Sequence, residues 1–479
     1  MRLLAAACAL LPVVAAPMPA PQQAIQILRR HFGPADRESS RYHYVAFDVA
    51  GQTESLAISY RYTGDTGANV IDLGLFEPGS LALGTPAFRG YSGGAQRAIT
   101  VGRETSSPGY RTGPLPAGTW HVLLGLYRVA PEGVDVTIEI SASRESRAAD
   151  EAQTPVAAPI APPAGASNPK WYSGALHLHT THSDGALSAS ALAKAVAAAG
   201  FDFYAITDHN NATHAREPLP ASPLHIVGEE VTTPAGHASV WGLPADGWID
   251  FRVRPGDPNA DRAIDALVAE AGRAGALFSI NHPVDVCAGC SWEQAMPSAL
   301  DAIEIWNAAR EPSEAAIAMW DRLLRSGRRV TAVGASDWHR APAAIETPAV
   351  RVLADRLTQG DILDAVRQAR VIVVRDPRVE PPAVDAGCGG AHASVGGTLI
   401  CRSGERVAVR VDAGSPDADR VDLFWNGEKR GSKQIGRHSS ESGRVDFDLP
   451  AADGYLRVHV HAASGSTMAI TNPTYVALR

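Results

Sequence analysis

The stretch ALHLHTTHSDG, residues 175–185, places three histidines and one aspartate within eight residues, directly after an apolar run. These side chains are His177, His179, His182 and Asp184. Imidazole titrates near neutral pH and is the commonest metal ligand in proteins. Residues two apart on a strand point to the same side, so His177 and His179 can aim at one spot. The stretch is either a histidine-rich surface loop or one wall of a metal site, and the rest of the chain has to decide.

Composition bounds the class of protein. A chain of 479 residues exceeds one ordinary core and indicates several domains. Its 45% hydrophobic and 20% charged residues are typical of a soluble globular protein, and its net charge of -8 gives no basic footprint for nucleic acid. The first twenty residues have one arginine and an apolar run too short to span a bilayer. They predict a secretory signal and a periplasmic or extracellular protein with no membrane span, with lipid anchoring at Cys8 as the less favoured alternative.

The cysteines fit an exported protein. Four follow the leader, at Cys287, Cys290, Cys388 and Cys401, and an even number outside the cytosol suggests disulfides. We expect Cys388 and Cys401 to staple a loop. For the CAGC stretch at 287–290 a local disulfide is favoured, with a redox motif or a structural zinc as alternatives.

The patterning divides the chain into a multidomain α/β plus all-β protein. Short alternating runs before and after the middle of the chain predict β-sandwiches, and a stretch rich in Ala and Pro predicts a linker. Between them, strand-like and helix-like runs alternate, which predicts a mostly parallel sheet or barrel. The expected domains are a signal peptide (1–20), an N-terminal β-sandwich (21–145), a linker (146–169), a β/α domain (170–378) and a C-terminal β-sandwich (379–479).

Ionisable side chains recur where strands end in the β/α region. The segments ITDH, IVGEEV, GHASVWG, INHP and GASDWH carry Asp208, His209, Glu229, Glu230, His237, His282, Asp337 and His339. In a β/α barrel the carboxyl ends of the strands converge on one face, where active sites form. The sequence therefore predicts a cluster of imidazoles and carboxylates on that face.

Buried imidazoles and carboxylates repel like groups and lose their hydration, which is unfavourable unless something neutralises them. Divalent cations would do so. Histidine and carboxylate ligands without thiolate favour Zn, Mn or Fe. Eight or nine ligands are too many for one tetrahedral ion and fit two or three ions with bridging carboxylates. We therefore expect two or three divalent metal ions as cofactors.

In their order and spacing, HLHTTHSDG, ITDHN, VGEEVTT, GHASVWG, INHP, IEIWN and GASDWH resemble the PHP superfamily, named for polymerase and histidinol phosphatase domains. The match spans about residues 170–375 and looks most like the CehA/McbA branch, which includes carbaryl hydrolases. The resemblance implies a distorted (β/α)7 PHP barrel, flanked here by the two sandwiches, with a two- or three-metal site.

The resemblance also implies a role for each ligand. His177, His179 and Asp337 would hold the first metal, Glu230 would bridge it to a second that His237 and His282 complete, and Asp184, His209 and His339 would hold a third. Glu230 is preferred to Glu229 because the family pattern places the ligand just before the Val-Thr pair. Asp208 is expected to orient His209 or to cap the loop.

Five further residues have weaker signals. His182 either lines the pocket or supports the ligands, or it lies on the surface. Glu304 and Asn307 end a strand near the site and are candidates for supporting the ligands. Arg310 and Arg340 flank the site and are candidates for gripping an anionic substrate, with a solvated arginine as the alternative.

These observations favour metal-assisted hydrolysis by a hydroxide that bridges two metals. A phosphate monoester or diester is the favoured substrate, because clustered cations suit phosphoryl oxygens. A carboxylic ester, carbamate or amide hydrolase on the same site is the first alternative. The second is a protein with an inactive barrel whose sandwiches bind cell-envelope polymer.

Overall fold

The computed structural model describes residues 24–83, 85–145, 169–245, 247–252, 260–284, 290–435 and 443–479. The predicted signal (1–20), Cys8, Cys287 and nearly all of the predicted linker lie outside the described residues. None of the described helices is long and apolar enough to cross a membrane.

The N-terminal part consists of two facing antiparallel sheets. Its elements are β1 (Ala24–Phe32), α1 (Pro34–Ser39), β2 (Tyr42–Val49), β3 (Ser55–Tyr62), β4 (Val70–Phe76), β5 (Phe88–Gly93), β6 (Ala98–Gly102), β7 (Gly118–Arg128) and β8 (Val134–Ser143). One sheet has the order β1-β8-β3-β6 and the other β2-β7-β4-β5. Alternation along β4 buries Ile71 and Leu73 in the core between the sheets, while Phe76 belongs to a core shared with the β/α region. The second sheet therefore packs its outer face on the rest of the chain.

Seven strands of the β/α region lie side by side in chain order. They are β9 (Lys170–Ala175), β10 (Phe203–Ile206), β11 (Leu224–Thr233), β12 (Gly236–Trp241), β13 (Leu277–Ile280), β14 (Ala302–Asn307) and β15 (Thr331–Ala335). The pairs that involve β12 are antiparallel and the other pairs are parallel. A parallel bridge between Leu178 and Trp338 joins the residues after β9 to those after β15. The two ends of the series thus meet at the carboxyl ends of the strands.

The helices are fewer than a (β/α)7 barrel requires. They are α2 (Ala189–Ala198), the 3-10 turn Thr213–Arg216, α3 (Ala260–Arg273), α4 (Glu314–Arg325) and α5 (Gln359–Arg367). Among the described residues of the seven-strand series, α-helices follow only β9, β12 and β14, so the regular (β/α)7 barrel is not shown. Between β11 and β12 the chain makes a tight antiparallel hairpin, with Gly236 at a φ of 125°, and this connection has no room for a helix.

Local sequence signals explain where three of these helices begin. Ser188, Ser313 and Thr358 each precede a helix, and each accepts a hydrogen bond from a backbone N–H of the first turn. Such caps satisfy donors that have no partner within the helix.

The C-terminal strands continue the same sheet. They are β16 (Ala349–Ala354), β17 (Val371–Val374), β18 (Ala383–Cys388), β19 (Ala391–Ala393), β20 (Thr398–Cys401), β21 (Arg406–Asp412), β22 (Ala418–Trp425), β23 (Glu428–Gln434), β24 (Arg444–Pro450), β25 (Gly454–Ala462), β26 (Thr467–Thr471) and β27 (Thr474–Leu478). β16 pairs with β9 and β17 with β26, while β19-β18-β21-β24 form a separate sheet. Asn472 joins β15 to β17, because its side chain bonds both backbone groups of Ala332 and the carbonyl of Val371. The C-terminal layer is therefore continuous with the β/α region.

The expected disulfide between Cys388 and Cys401 is present and joins β18 to β20. The other expected pairing, Cys287 with Cys290, includes a residue outside the described part of the chain.

Candidate metal centre

His177 and His179 lie in the short extension after β9. Both are fully buried, and their ring centroids are 5.1 Å apart. Leu178, between them, packs in the hydrophobic core with Trp338. This alternation turns both imidazoles to one side of the extension and the apolar residue to the other.

Asp337 and His339 lie beside them, after β15. His179 Nε2 is 3.1 Å from Asp337 Oδ1, and the rings of His179 and His339 stack with centroids 4.0 Å apart. Asp184 faces the same imidazoles, with its Oδ1 3.2 Å from His339 Nε2 and 3.5 Å from His209 Nε2. The loop after β9 thus turns back on itself to bring Asp184 to the cluster.

Glu230 lies at the centre of the site. Its Oε1 is 3.2 Å from His177 Nε2 and 3.4 Å from both His237 Nδ1 and His282 Nε2. Its Oε2 is 2.7 Å from His209 Nδ1. One buried carboxylate therefore contacts imidazoles from the segments around four strands.

Glu229 points the other way along the same strand. Its Oε2 accepts a hydrogen bond of 2.9 Å from the backbone N–H of Ile249, and burial raises the pKa of this carboxyl well above its usual range. The structure thus separates the two adjacent glutamates, and only Glu230 faces the histidines.

Strained backbone accompanies the cluster. His282 has a φ of 24° and Asp337 a φ of 51°, both in the left-handed region that side chains other than glycine rarely adopt. Such conformations cost about 1–3 kcal/mol each and concentrate at functional sites. The fold holds these two side chains in place at the expense of local stability.

The nine predicted ligands meet in four overlapping groups whose donor atoms lie within 4.8 Å of one another. The groups are His179/Asp184/His209/His339, His177/His282/Asp337, His177/His179/Glu230 and His209/Glu230/His237. The grouping differs from the one that the resemblance implies, since His282 groups with His177 and Asp337, and His179 joins the Asp184 group. Four side chains belong to two groups each, and of these only the Glu230 carboxylate has two oxygens with which it could bridge metal ions.

The donor set fits metal ions. Among the described residues, buried ring nitrogens without any hydrogen-bond partner include His179 Nδ1, His282 Nδ1 and His237 Nε2. Buried polar atoms nearly always have partners, so several unpaired donors in one cluster indicate a site that fits cations. Imidazole nitrogens and carboxylate oxygens without thiolate are the donors of Zn, Mn and Fe.

Burial and neighbouring charges shift the pKa values of the histidines in the cluster. Burial and the nearby imidazoles of His339 and His209 lower the pKa of His179 to about 4. For His209, burial acts against the charged form, but Asp184 and Glu230 raise its pKa to about 10. Burial likewise opposes charge on His282, yet Glu230 and Asp337 raise its pKa to about 9. The carboxylates thus attract positive charge, which metal ions would supply in place of protons.

Residues outside the four groups form hydrogen bonds with the predicted ligands. Glu304 Oε1 lies 3.2 Å from His177 Nδ1, and its Oε2 accepts hydrogen bonds from the His282 backbone N–H at 2.8 Å and from Asn307 at 3.0 Å. Asn281 donates to Glu230 at 2.8 Å. Asn281 was missed at the sequence level, although the INHP segment contains it. Such contacts set the orientation of metal ligands.

Asp208 caps the loop after β9. It accepts hydrogen bonds from the backbone N–H and hydroxyl of Thr180 and from the Ser183 hydroxyl, at 2.6–2.7 Å. Although burial raises the pKa of Asp208, its contacts with His214 and Thr180 hold that pKa below the usual range. Of the two roles expected for Asp208, these contacts correspond to loop capping.

His182 does not join the four metal-ligand groups. It is buried, with Nε2 2.6 Å from Glu217 Oε1, and Nδ1 2.7 Å from the Thr213 hydroxyl and 3.1 Å from the Gly109 backbone N–H. Of the alternatives for His182, burial excludes the surface position, and its contacts connect the loop to the N-terminal part of the chain.

The two predicted arginines are both exposed on the surface. Arg340 Nη2 donates to the Asp184 carbonyl at 2.7 Å, while Arg310 is exposed after β14 and its carbonyl accepts a bond from the Trp306 indole.

A carboxyl of the N-terminal sheet also lies near the cluster. The hydroxyl of Tyr91 donates to Asp72 at 2.6 Å, and burial raises the pKa of Asp72 to about 6 against the opposing charge of His209. No sequence signal marked Asp72, because it belongs to a different predicted domain from the ligands.

A comparison with known families identifies the segment that carries most of these ligands. Residues 175–298 match the PHP domain family. Within the matched segment lie His177, His179, Asp184, His209, Glu230, His237 and His282, whereas Asp337 and His339 lie beyond it and reach the site through the fold. The match is to the PHP domain in general, so the CehA/McbA branch stays a prediction.

Solved structures with limited similarity include two phosphoesterase-type proteins and one amidohydrolase. A two-domain Bacteroides vulgatus protein, whose name describes a PHP-like metal-dependent phosphoesterase, is 15% identical over 64% of this chain and 95% of its own, with a TM-score of 0.36. A Bifidobacterium adolescentis protein named as a metal-dependent phosphoesterase is 16% identical over 36% of this chain and 90% of its own, with a TM-score of 0.24. An amidohydrolase from Chromobacterium violaceum, with bound sulfate and no metal, is 16% identical over 35% of this chain and 88% of its own, with a TM-score of 0.24. None of the curated proteins matches the chain significantly.

Proposed function

We propose that this protein is a metal-dependent hydrolase of phosphate esters. The observation that carries the proposal is the cluster of nine buried or half-buried donors around Glu230, in which several ligand atoms have no hydrogen-bond partner among the described residues. The match of residues 175–298 to the PHP domain supports it.

The nine donors would hold two or three divalent ions, which would supply Lewis acidity to activate water and to withdraw charge from a phosphoryl oxygen. Glu304 orients His177 and the backbone at His282, and Asn307 donates to Glu304. Arg340, held by the Asp184 carbonyl, places a guanidinium at the rim, where it can bind an anionic substrate.

Phosphate esters suit the site better than uncharged esters because the clustered cations and the rim arginine favour an anionic substrate. The choice is tested by assaying protein purified without chelator on p-nitrophenyl phosphate, bis-p-nitrophenyl phosphate and 1-naphthyl acetate. We expect chelator-sensitive turnover of one or both phosphates. Turnover of the acetate alone would instead assign a carboxylic ester hydrolase, and turnover of none by metal-loaded protein would favour the polymer-binding alternative.

We also propose that the protein is exported, on the strength of its leader-like first twenty residues. N-terminal sequencing of protein recovered from expressing cells tests this. A chain that begins near residue 21 supports export, and a chain that keeps its leader contradicts it.

A further inference from the structure

A second cavity lies at the opposite end of the β/α region from the metal-ligand groups. It has a volume of about 380 Å³. Thr331, the first residue of β15, lines it, whereas the ligand Asp337 follows the other end of the same strand. At about 3.3 Å per residue, the two sites are roughly 20 Å apart.

Four separate segments build the cavity. Its walls come from Arg329 before β15, residues 367–370 at the end of α5 and after it, residues 394–397 before β20, and Tyr475 on β27. Gly396 has a φ of 83°, and a Cβ there would lie 2.4 Å from the carbonyl oxygen of Gln368. Only glycine lets these two walls approach so closely. The cavity is thus a product of the seam between the β/α region and the C-terminal strands.

The lining is strongly basic. Arg329, Arg367 and Arg370 contribute to it, and no aspartate or glutamate is among its lining residues. Arg367 is exposed and pairs with Asp364 at 2.6 Å. Arg370 is half-buried, and its buried Nε has no hydrogen-bond partner among the described residues, although Asp361 lies within electrostatic reach of its charge. A guanidinium partly removed from water without an acceptor is costly, which favours an anion nearby.

Two contacts fix the position of the Arg329 guanidinium in the cavity wall. Its guanidinium stacks on the ring of Tyr475 at 4.1 Å from the centroid, and Nη2 donates to the Thr398 hydroxyl at 2.8 Å. Stacking leaves the edge of the planar group free to donate in its plane, the geometry that matches phosphate and carboxylate oxygens.

We propose that this cavity binds a small anionic molecule through a phosphate or carboxylate group, held by Arg329 and Arg370. Its volume falls in the range of small-molecule sites. The site is separate from the metal centre, so it does not depend on the proposed hydrolase function.

The first test is calorimetric titration of metal-loaded, full-length protein with inorganic phosphate. Phosphate should also bind the metal centre, so we expect two classes of site in the wild type. The double variant Arg329→Gln/Arg370→Gln should weaken one class by about tenfold or more, since charge-assisted hydrogen bonds are lost. Arg378→Gln, an exposed arginine paired with Asp376 and outside the cavity lining, is the matched control and should behave as the wild type.

The second test uses the wild type and needs no variant to fold. Phenylglyoxal modifies accessible arginines, and mass spectrometry reports the modification of each one. We expect phosphate, succinate or both to protect Arg329 and Arg370 but not Arg378, and the protecting anion identifies the group that the cavity prefers. Modification unchanged by either anion, or a double variant that keeps both classes of phosphate site, would overturn the proposal.

Discussion

At the scale of single residues, Glu229 and Glu230 form a matched pair. They are consecutive on β11, so their side chains leave the strand on opposite faces. Glu230 contacts the histidines, while Glu229 accepts the Ile249 N–H. We predict that Glu230→Gln loses bound metal and lowers kcat by more than about a hundredfold, since even groups that only orient ligands are worth about ten- to a hundredfold. Glu229→Gln should keep both. Metal analysis and kinetics of the two purified variants decide, and equal losses in both would refute the assignment.

Glu304 makes a second prediction at this scale. It contacts His177 and the His282 backbone but belongs to none of the four metal-ligand groups. We expect Glu304→Ala to weaken metal affinity by about ten- to a hundredfold without abolishing binding. Competition with a metal indicator measures the affinity. An unchanged affinity would show that Glu304 does not support the site.

At the scale of elements, the loop after β9 depends on a close turn at Gly185. A Cβ at Gly185 would lie 2.3 Å from the carbonyl oxygen of His179, a backbone atom that cannot give way cheaply. Gly185→Ala should displace Asp184 and His179 and reduce metal affinity by about ten- to a hundredfold. Gly360→Ala, inside α5 with no atom within 4 Å of the new Cβ, is the control and should keep full metal content. The same affinity in both variants would contradict this account of the loop.

The elements also show how far the sequence can be interpreted. Strand-like periodicity and the ionisable residues after each run predicted that the side chains would converge, because period-2 burial and strand ends are local properties. The helix-like runs of the β/α region likewise lie where α2, α3, α4 and α5 are found, whereas the regular (β/α)7 barrel was implied only by the resemblance. The hairpin at Gly236 replaces a helical connection, and the resemblance to a (β/α)7 family gave no sign of it.

At the scale of the whole molecule, the N-terminal sheets are joined to the metal loop. His182 lies between Gly109 of the N-terminal part and Thr213 and Glu217 of the β/α region. Its removal leaves buried polar groups without partners, at a cost of about 1–3 kcal/mol. We therefore predict that His182→Ala keeps its metal but has a lower midpoint of thermal unfolding. His392→Ala, an exposed histidine paired with Asp385, should leave the midpoint unchanged. Metal loss in His182→Ala would instead make this histidine a ligand.

Contacts between distant parts of the chain were beyond sequence reasoning. His182 and the predicted ligand His179 share one short motif, and only tertiary contacts distinguish them, such as the bond of His182 to the Gly109 backbone. In the same way, Asp72 of the N-terminal sheet interacts electrostatically with His209, and Asn472 hydrogen-bonds Ala332 of β15 across 140 residues of sequence. Such contacts depend on tertiary packing and do not appear in the hydrophobic periodicity of the sequence.

The measurement that tests the central claim most directly is the metal content of full-length protein purified without chelator, by elemental analysis. The cluster around Glu230 predicts two or three equivalents of Zn, Mn or Fe per chain, removed by chelator together with hydrolytic activity and restored by adding the metal back. Protein that contains no such metal, and takes up none from added Mn or Zn, would show that these nine side chains do not form a metal centre.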